Sequence, residues 1–289
     1  MRSNTPRDSQ LDQSWRIELS GVTKRFATPD GGVFTALRDV TMTVEPGEFC
    51  AVVGPSGCGK STTLTLVAGL DRASEGVVSV GGQPVTGIGR GTSFMFQTDA
   101  LLPWKTVLGN VAMGPLFRGV PKKSALTDAR DWLRMVGLAG FEDHHSHQLS
   151  GGMRKRVALA AALINEPSIL LMDEPFGALD VQTKAIMSTE LLTLWDQSKP
   201  SVIFVTHDLE EAIALADKVV VMTAGPGTVK DVFEIDLPRP RGSVQEIRFG
   251  ERFTELHHEI WESLRDEVTQ AYARTASAPT APAAEGVLS

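Results

Sequence analysis

Apolar and polar positions along the chain change period several times, and each change predicts an element. Residues 15–20 (WRIELS) alternate, as in a half-buried strand, and residues 22–26 continue it before a TPDGG turn. Residues 34–44 (FTALRDVTMTV) read as a strand pair or a bent strand. An EPGE turn then leads into the short apolar run 50–53, and TLTLVAGL downstream reads as a helix. EGVVSVGGQPV predicts a short antiparallel hairpin, and residues 92–96 predict an apolar strand ending at Gln97. Between 98 and about 150 the period becomes helical: Leu126, Ala129, Trp132, Leu133 and Val136 share one face, with Gly137 placed to stop the helix.

After this helical insert the two periods alternate. An alanine-rich helix opens at LSGGMRKR (149–156). A buried strand at 168–172, a helix at 181–197, a strand at 201–205, a short helix at 208–216 and a strand at 218–222 follow. Such alternation predicts an α/β fold with a parallel sheet wrapped by helices. DLPRPRGS (236–243) reads as a connector. Phe253, Leu256, Ile260, Trp261, Leu264 and Val268 form the stripe of a terminal helix expected to pack on the core. The last stretch, RTASAPTAPAAEGVLS, is expected to be disordered, and no internal repeat is visible.

The apolar run at 50–53 and the helix after it bracket GPSGCGKST (54–62). Its Gly54, Gly59, Lys60 and Ser61 fit G-x-x-x-x-G-K-[ST], the phosphate-binding loop. Gly54, Gly57 and Gly59 let the backbone turn tightly and approach an anion. The loop runs from Gly54 through Pro55, Ser56, Gly57 and Cys58 to Gly59, and its N–H groups, which every residue but Pro55 supplies, then form a concave nest ahead of a positive helix end. Lys60 can reach the β- and γ-phosphates, Ser61 can ligate Mg²⁺, and Thr62 can donate to the α-phosphate. A second acidic element supports this. SILLMDEP puts Asp173 and Glu174 at the carboxyl end of a buried strand, the edge where ligands sit in open α/β sheets. Asp173 can hold Mg²⁺ through water, and Glu174 can take a proton from an attacking water.

Composition narrows the setting. With 42% hydrophobic and 22% charged residues among 289, the chain can bury a sizeable core. A net charge of −7 argues against general nucleic-acid binding. The only two cysteines are Cys50 and Cys58, and a disulfide at Cys58 would disrupt the loop, so a reduced cytosol is expected. The N-terminal residues lack an apolar signal core. The longest apolar run, 157–164, falls far short of the roughly 18 residues that span a bilayer, so any membrane role is expected to run through partners.

LSGGMRKR resembles the signature of the ATP-binding cassette (ABC) family, and the chain is similar to a nucleotide-binding subunit of an ABC transporter over about residues 15–235. The resemblance implies a P-loop NTPase core with a mostly parallel sheet, an antiparallel β subdomain and a helical insert. Ser150 can cap the helix, and Gly151 and Gly152 expose N–H groups at its positive end. In the family this helix end faces the γ-phosphate held by the other subunit of a dimer. The usual fifth residue is Gln; here it is Met153. Gln97 resembles the glutamine that contacts Mg²⁺ and the attacking water, and His207 the switch histidine at the γ-phosphate. GALD (177–180) resembles the loop that crosses the dimer interface. Phe26 holds the place of the aromatic, more commonly Tyr, that stacks on adenine.

The resemblance implies ATP and Mg²⁺ as cofactors, a second copy of the chain, transmembrane permease subunits and, indirectly, an extracytoplasmic solute-binding protein. It also implies a place on the cytoplasmic face of the membrane. LLPWKTVLGNVAMG after Gln97, and LPRPR followed by F-x-x-L and I-W-x-x-L, resemble one importer subgroup. That subgroup takes up nitrate, sulfonates, taurine, bicarbonate and similar small molecules, and Trp104 would sit near the groove for the permease. The expected domains are a flexible 1–13, an ATPase domain 14–240 with a helical subdomain 98–155, a helical extension 241–272 and a disordered 273–289. A soluble ABC ATPase acting on nucleic acid or ribosomes is the alternative; the single cassette, the short insert and the acidic balance count against it. An inactive binding module is a third reading, opposed by intact Lys60, Asp173, Glu174 and His207.

Overall fold

The computed structural model describes residues 13–98, 100–177, 179–241 and 244–277, so the termini expected to be flexible lie largely outside the described residues. The alternating N-terminal segments form β1 (Ile17–Ala27) and β2 (Val33–Val44), paired antiparallel with register shifts between Leu19 and Arg25. Of the two readings of 34–44, a strand pair or a bent strand, the single-strand reading holds, with these irregularities in its pairing. β3 (Phe49–Val53) feeds α1 (Lys60–Val67), and the expected hairpin is β4 (Glu75–Val80) with β5 (Gln83–Pro84). β1, β2, β4 and β5 make one antiparallel sheet in the order β2-β1-β4-β5.

β6 (Thr92–Met95) ends just before Gln97. The insert holds α2 (Val107–Val111), α3 (Met113–Phe117) and α4 (Lys122–Met135), and Gly137 follows at φ 70°, a left-handed stop suited to glycine. α5 (Gly151–Leu163), β7 (Ile169–Asp173), α6 (Val181–Ser198), β8 (Ser201–Val205), α7 (Leu209–Leu215) and β9 (Lys218–Met222) follow the predicted alternation. β10 (Val229–Glu234) was not expected. Its alternation is short, and it pairs antiparallel with β9 at the sheet edge. The second sheet runs β10-β9-β3-β8-β7-β6, parallel in all but β10.

Two apolar layers enclose β3, whose five residues are all buried. Phe49, Ala51 and Val53 face the layer built by α5, α6 and α7. Cys50 and Val52 face the other, where Leu64, Leu66 and Val67 of α1 fill the space beneath the antiparallel sheet. A strand buried on both faces reads as an unbroken apolar run. Rings anchor the first layer: Phe49 lies 5.7 Å from Trp195 and 5.8 Å from Phe204, and Phe204 lies 6.1 Å from Phe176.

The C-terminal segment adds α8 (Val244–Ile247) and α9 (Glu251–Ser277). Phe253, Leu256, Ile260 and Leu264 bury one face of α9 in the first layer, whereas Trp261 stays 42% exposed. Trp261 follows Ile260 directly, about 100° further round the helix, so it leaves the core face. α9 also runs to Ser277, past the boundary drawn at 272, because no proline interrupts it before Pro279.

Phe204→Ala removes the ring at the centre of this cluster. It is expected to cost about 3–5 kcal/mol of unfolding free energy, read from urea denaturation; a loss under about 1 kcal/mol would contradict the packing described.

Candidate functional site

The phosphate loop is shaped by what its glycines leave out. Gly59 sits at φ 96°, and a Cβ there would fall 2.4 Å from Leu37 Cδ2 and 3.0 Å from the Ala36 carbonyl. A Cβ on Gly54 would fall 2.8 Å from Cys58 Sγ. The loop is thus wedged against β2 and closed on itself, with Cys58 N–H donating to the Pro55 carbonyl at 3.3 Å. Ser56 and Gly57 are exposed at its tip. Lys60 is 6% exposed and folds back over the loop, donating to the Gly54 carbonyl at 2.8 Å and the Pro55 carbonyl at 3.0 Å. Burial pushes the Cys58 thiol pKa up, with the Lys60 charge pulling the other way. Thr62 is half-buried in the first turn of α1.

β7 ends alongside this loop. Asp173 Oδ1 accepts from Ser61 Oγ at 3.0 Å, joining the two expected metal-binding groups. Burial raises the Asp173 pKa and neighbouring Glu174 adds to it, against the Ser61 hydrogen bond and the Lys60 charge. Among the described residues no cluster of three or more His, Cys, Asp or Glu side chains could hold a metal. A hydroxyl and one carboxylate, with phosphate oxygens and water completing the shell, is the donor set Mg²⁺ favours, so Ser61 and Asp173 fit that ion.

Glu174 adopts φ 43°, a left-handed conformation uncommon for a non-glycine residue, and its N–H donates to the Val205 carbonyl at 2.9 Å. Its Oε2 receives a hydrogen bond from Gln97 Nε2 at 3.2 Å and lies 3.3 Å from His207 Nδ1. Three residues from the ends of β6, β7 and β8 therefore meet at one carboxylate oxygen. That oxygen can accept a proton, and the imidazole and amide can hold a polar ligand beside it. Behind His207, Thr206 Oγ1 donates to buried Glu211 Oε2 at 2.7 Å, and Lys184 lies 3.5 Å from Glu211 Oε1 and 3.3 Å from Asp208 Oδ2. Burial lifts the Glu211 pKa above its usual range, with the Thr206 bond and the Lys184 charge opposing.

Ser150 caps α5, its Oγ accepting from Met153 N–H at 3.3 Å. Met153, half-buried, packs against the core layer, so the departure from Gln puts an apolar side chain against apolar neighbours. Gly152 allows close approach to α6, since a Cβ would lie 3.1 Å from Thr183 Cγ2. A Cβ on Gly151 or Gly152 would find no phosphate-loop atom within 4 Å. Asp180 caps α6, accepting from Thr183 N–H at 3.0 Å. Phe26 is 39% exposed beneath Lys24, whose Nζ lies 4.8 Å from the ring centroid, and pairs across strands with Phe34. Trp104 is 73% exposed on the insert, as is Phe117 at 85%.

Sequence reasoning missed Lys155. It is 3% exposed on α5, and its Nζ donates to the Gln97 carbonyl at 2.7 Å, tying the signature helix to the segment after β6. Its only sequence signal was a lysine on the apolar face of a helix. The Glu211–Lys184 pair was missed as well, because the partners lie on different helices.

A phosphate loop, a carboxylate pair at the neighbouring strand end and a capped glycine start on a separate helix define an ATPase cassette. The ABC transporter family model matches residues 37–177. The taurine import ATP-binding protein of Burkholderia thailandensis is 44% identical over 242 residues, 83% of this chain and 93% of that protein. The nitrate import ATP-binding protein of Synechocystis sp. is 40% identical over 258 residues, 88% and 97% of the two chains. Among solved structures, a dimeric ATP-binding cassette in a post-hydrolysis state bound to ADP and Pi superposes with a TM-score of 0.70 at 30% identity. It covers 77% of this chain and 100% of its own. The chain belongs to the ABC transporter family, as one of its ATPase subunits.

The raised Glu211 pKa carries a pH signature. A carboxyl raised above its unfolded value, 4.5, contributes stability that is present below that value and lost as pH rises through the folded pKa. Glu211→Gln does not titrate and escapes this loss. Unfolding free energies at pH 4.5 and pH 8 should therefore show the variant gaining on the parent at the higher pH; a pH-independent gap would refute the burial argument.

Proposed function

We propose that this chain is the ATP-hydrolysing subunit of an importer for a small solute, an anion of the nitrate, sulfonate or taurine type. Two copies sandwich two ATP molecules, each site combining one phosphate loop with the signature of the other copy. A separate permease, served by an extracytoplasmic solute-binding protein, moves the solute as the pair closes and reopens. The subunit works at the cytoplasmic face of the membrane, docked on the permease near Trp104. Among the described residues no helix is long and apolar enough to cross a membrane.

The observation that carries this reading is the meeting of Gln97, Glu174 and His207 at one carboxylate oxygen, beside the Ser61–Asp173 pair. In the proposed mechanism Glu174 takes a proton from the attacking water, and His207 contacts the γ-phosphate. Lys60 leaves the loop carbonyls for the β- and γ-phosphate oxygens, where its charge offsets the charge developing in transfer. Ser61, Asp173 and Gln97 would hold Mg²⁺, which supplies further charge neutralisation when bound. Phe26 stacks on adenine. Ser150, Gly151 and Gly152 offer a helix N-terminus to the γ-phosphate across the interface. The import names of the 40–44% identical relatives support the choice of importer and of solute class.

Glu174→Gln keeps the side-chain shape and removes the base. With ATP and Mg²⁺ it is expected to lower hydrolysis by about 10²-fold or more and to accumulate an ATP-bound dimer on size-exclusion chromatography. Hydrolysis at the parent rate would exclude Glu174 as the base. Solute choice is tested separately, by ATP-dependent uptake of nitrate, taurine and an alkanesulfonate into vesicles holding the whole transporter. Uptake of none of these would remove the solute assignment.

A further inference from the structure

The C-terminal helix reaches the phosphate loop through one buried carboxylate. Glu267, on the inner face of α9, is 7% exposed. Its Oε2 accepts from the buried Ala224 N–H at 2.8 Å, and its Oε1 pairs with Lys230 Nζ at 2.9 Å. Lys230 also donates to the Ser263 carbonyl at 2.8 Å, so the cation is clipped to the same helix. Ala224 belongs to the turn 223–228 that joins β9 to β10. That turn is braced on itself, with Thr223 N–H donating to the Thr228 carbonyl at 3.0 Å and Thr228 N–H to Thr223 Oγ1 at 3.1 Å.

The same turn is the outer wall of the phosphate loop. A Cβ on Gly227 would lie 1.8 Å from the Cys58 carbonyl oxygen, and one on Gly225 would lie 3.4 Å from that of Gly57. Two backbones are thus in direct contact, the turn meeting the loop at its Gly57 and Cys58 carbonyls. Gly227 also exchanges hydrogen bonds with β2, donating to the Ala36 carbonyl at 2.9 Å and accepting from Arg38 N–H at 2.9 Å. Ala271 of α9 and Phe34 of β2 close the cleft beside Ser56 and Gly57. The Gly57 and Cys58 carbonyls thus lie at a wall to which α9 is joined through the Ala224–Glu267 hydrogen bond.

We propose that Glu267 is a positioning residue for nucleotide binding: through the 223–228 turn it holds the segment at Gly57 and Cys58 in triphosphate-binding shape, making the docked C-terminal helix part of the ATP site's support. Without its acceptor the buried Ala224 N–H is unsatisfied, and the turn moves to find water. The loop carbonyls then lose their backstop, and the loop's N–H groups lose their common focus. The effect falls on affinity, since no reacting group is touched. The inference rests on the reading of this loop as the ATP site.

The test uses the full chain and a fluorescent ATP analogue with Mg²⁺. Failure of the parent to bind would overturn the ATP reading itself, before any variant is compared. With the parent binding, Glu267→Ala is expected to raise Kd and KM for ATP roughly tenfold, the loss of one buried charge-assisted hydrogen bond, with kcat at saturation within about twofold. Glu267→Gln, whose amide oxygen still accepts from Ala224 N–H, should recover affinity to within about threefold. Parental ATP affinity in Glu267→Ala, or a fall in kcat with KM unchanged, overturns the proposal. Should Glu267→Ala not fold, hydrogen exchange of the parent decides. ATP is expected to protect both 223–228 and the α9 segment around Glu267, and protection confined to the phosphate loop overturns the proposal.

Discussion

Parallel pairing of β3, β8, β7 and β6 is the constraint on which the site depends. Hydrogen bonds between adjacent strands fix their ends at one edge, and each end carries a different group. β3 delivers the phosphate loop, β7 delivers Asp173 and Glu174, β8 delivers His207, and β6 delivers Gln97. Side chains far apart in sequence come within 3.0–3.3 Å because their strands share a ladder. The apolar layers on both faces hold that register, since a slip by one residue would expose Phe49 or Phe204 to the wrong side.

Around this edge the molecule adds supports that contact no ligand themselves. Lys155 holds the Gln97 carbonyl, Lys184 and Glu211 stand behind the His207 turn, and Glu267 stands behind the loop wall. Each is a buried or nearly buried charge, and each satisfies a backbone or side-chain group on another element. Buried charges are costly unless paired, so their use here fits positions where geometry matters more than stability.

Much of this was legible in the sequence because the signals were local. GPSGCGKST and SILLMDEP carry their own flanking elements, and the alternation of strand and helix periods gave the parallel sheet. The supports were not legible, because a lysine on a helix says nothing about which carbonyl it will meet 58 residues away. β10 escaped for a related reason: six residues at a sheet edge alternate too briefly to stand out from a loop. Trp261 failed in the other direction, where apolar character suggested burial and the 100° step of the helix overruled it.

The folded-back Lys60 has a consequence for how the site fills. Its ammonium already has two carbonyl acceptors within 3.0 Å, so under the proposed reading an entering triphosphate would displace an internal ligand rather than meet a bare charge. Binding becomes an exchange of partners, and its net gain is the difference between phosphate oxygens and peptide oxygens. On that reading the loop's cation would not depend on nucleotide for its partners. In the proposed machine, which would discharge its product every cycle, an anion site that can satisfy itself would be a site that can let go.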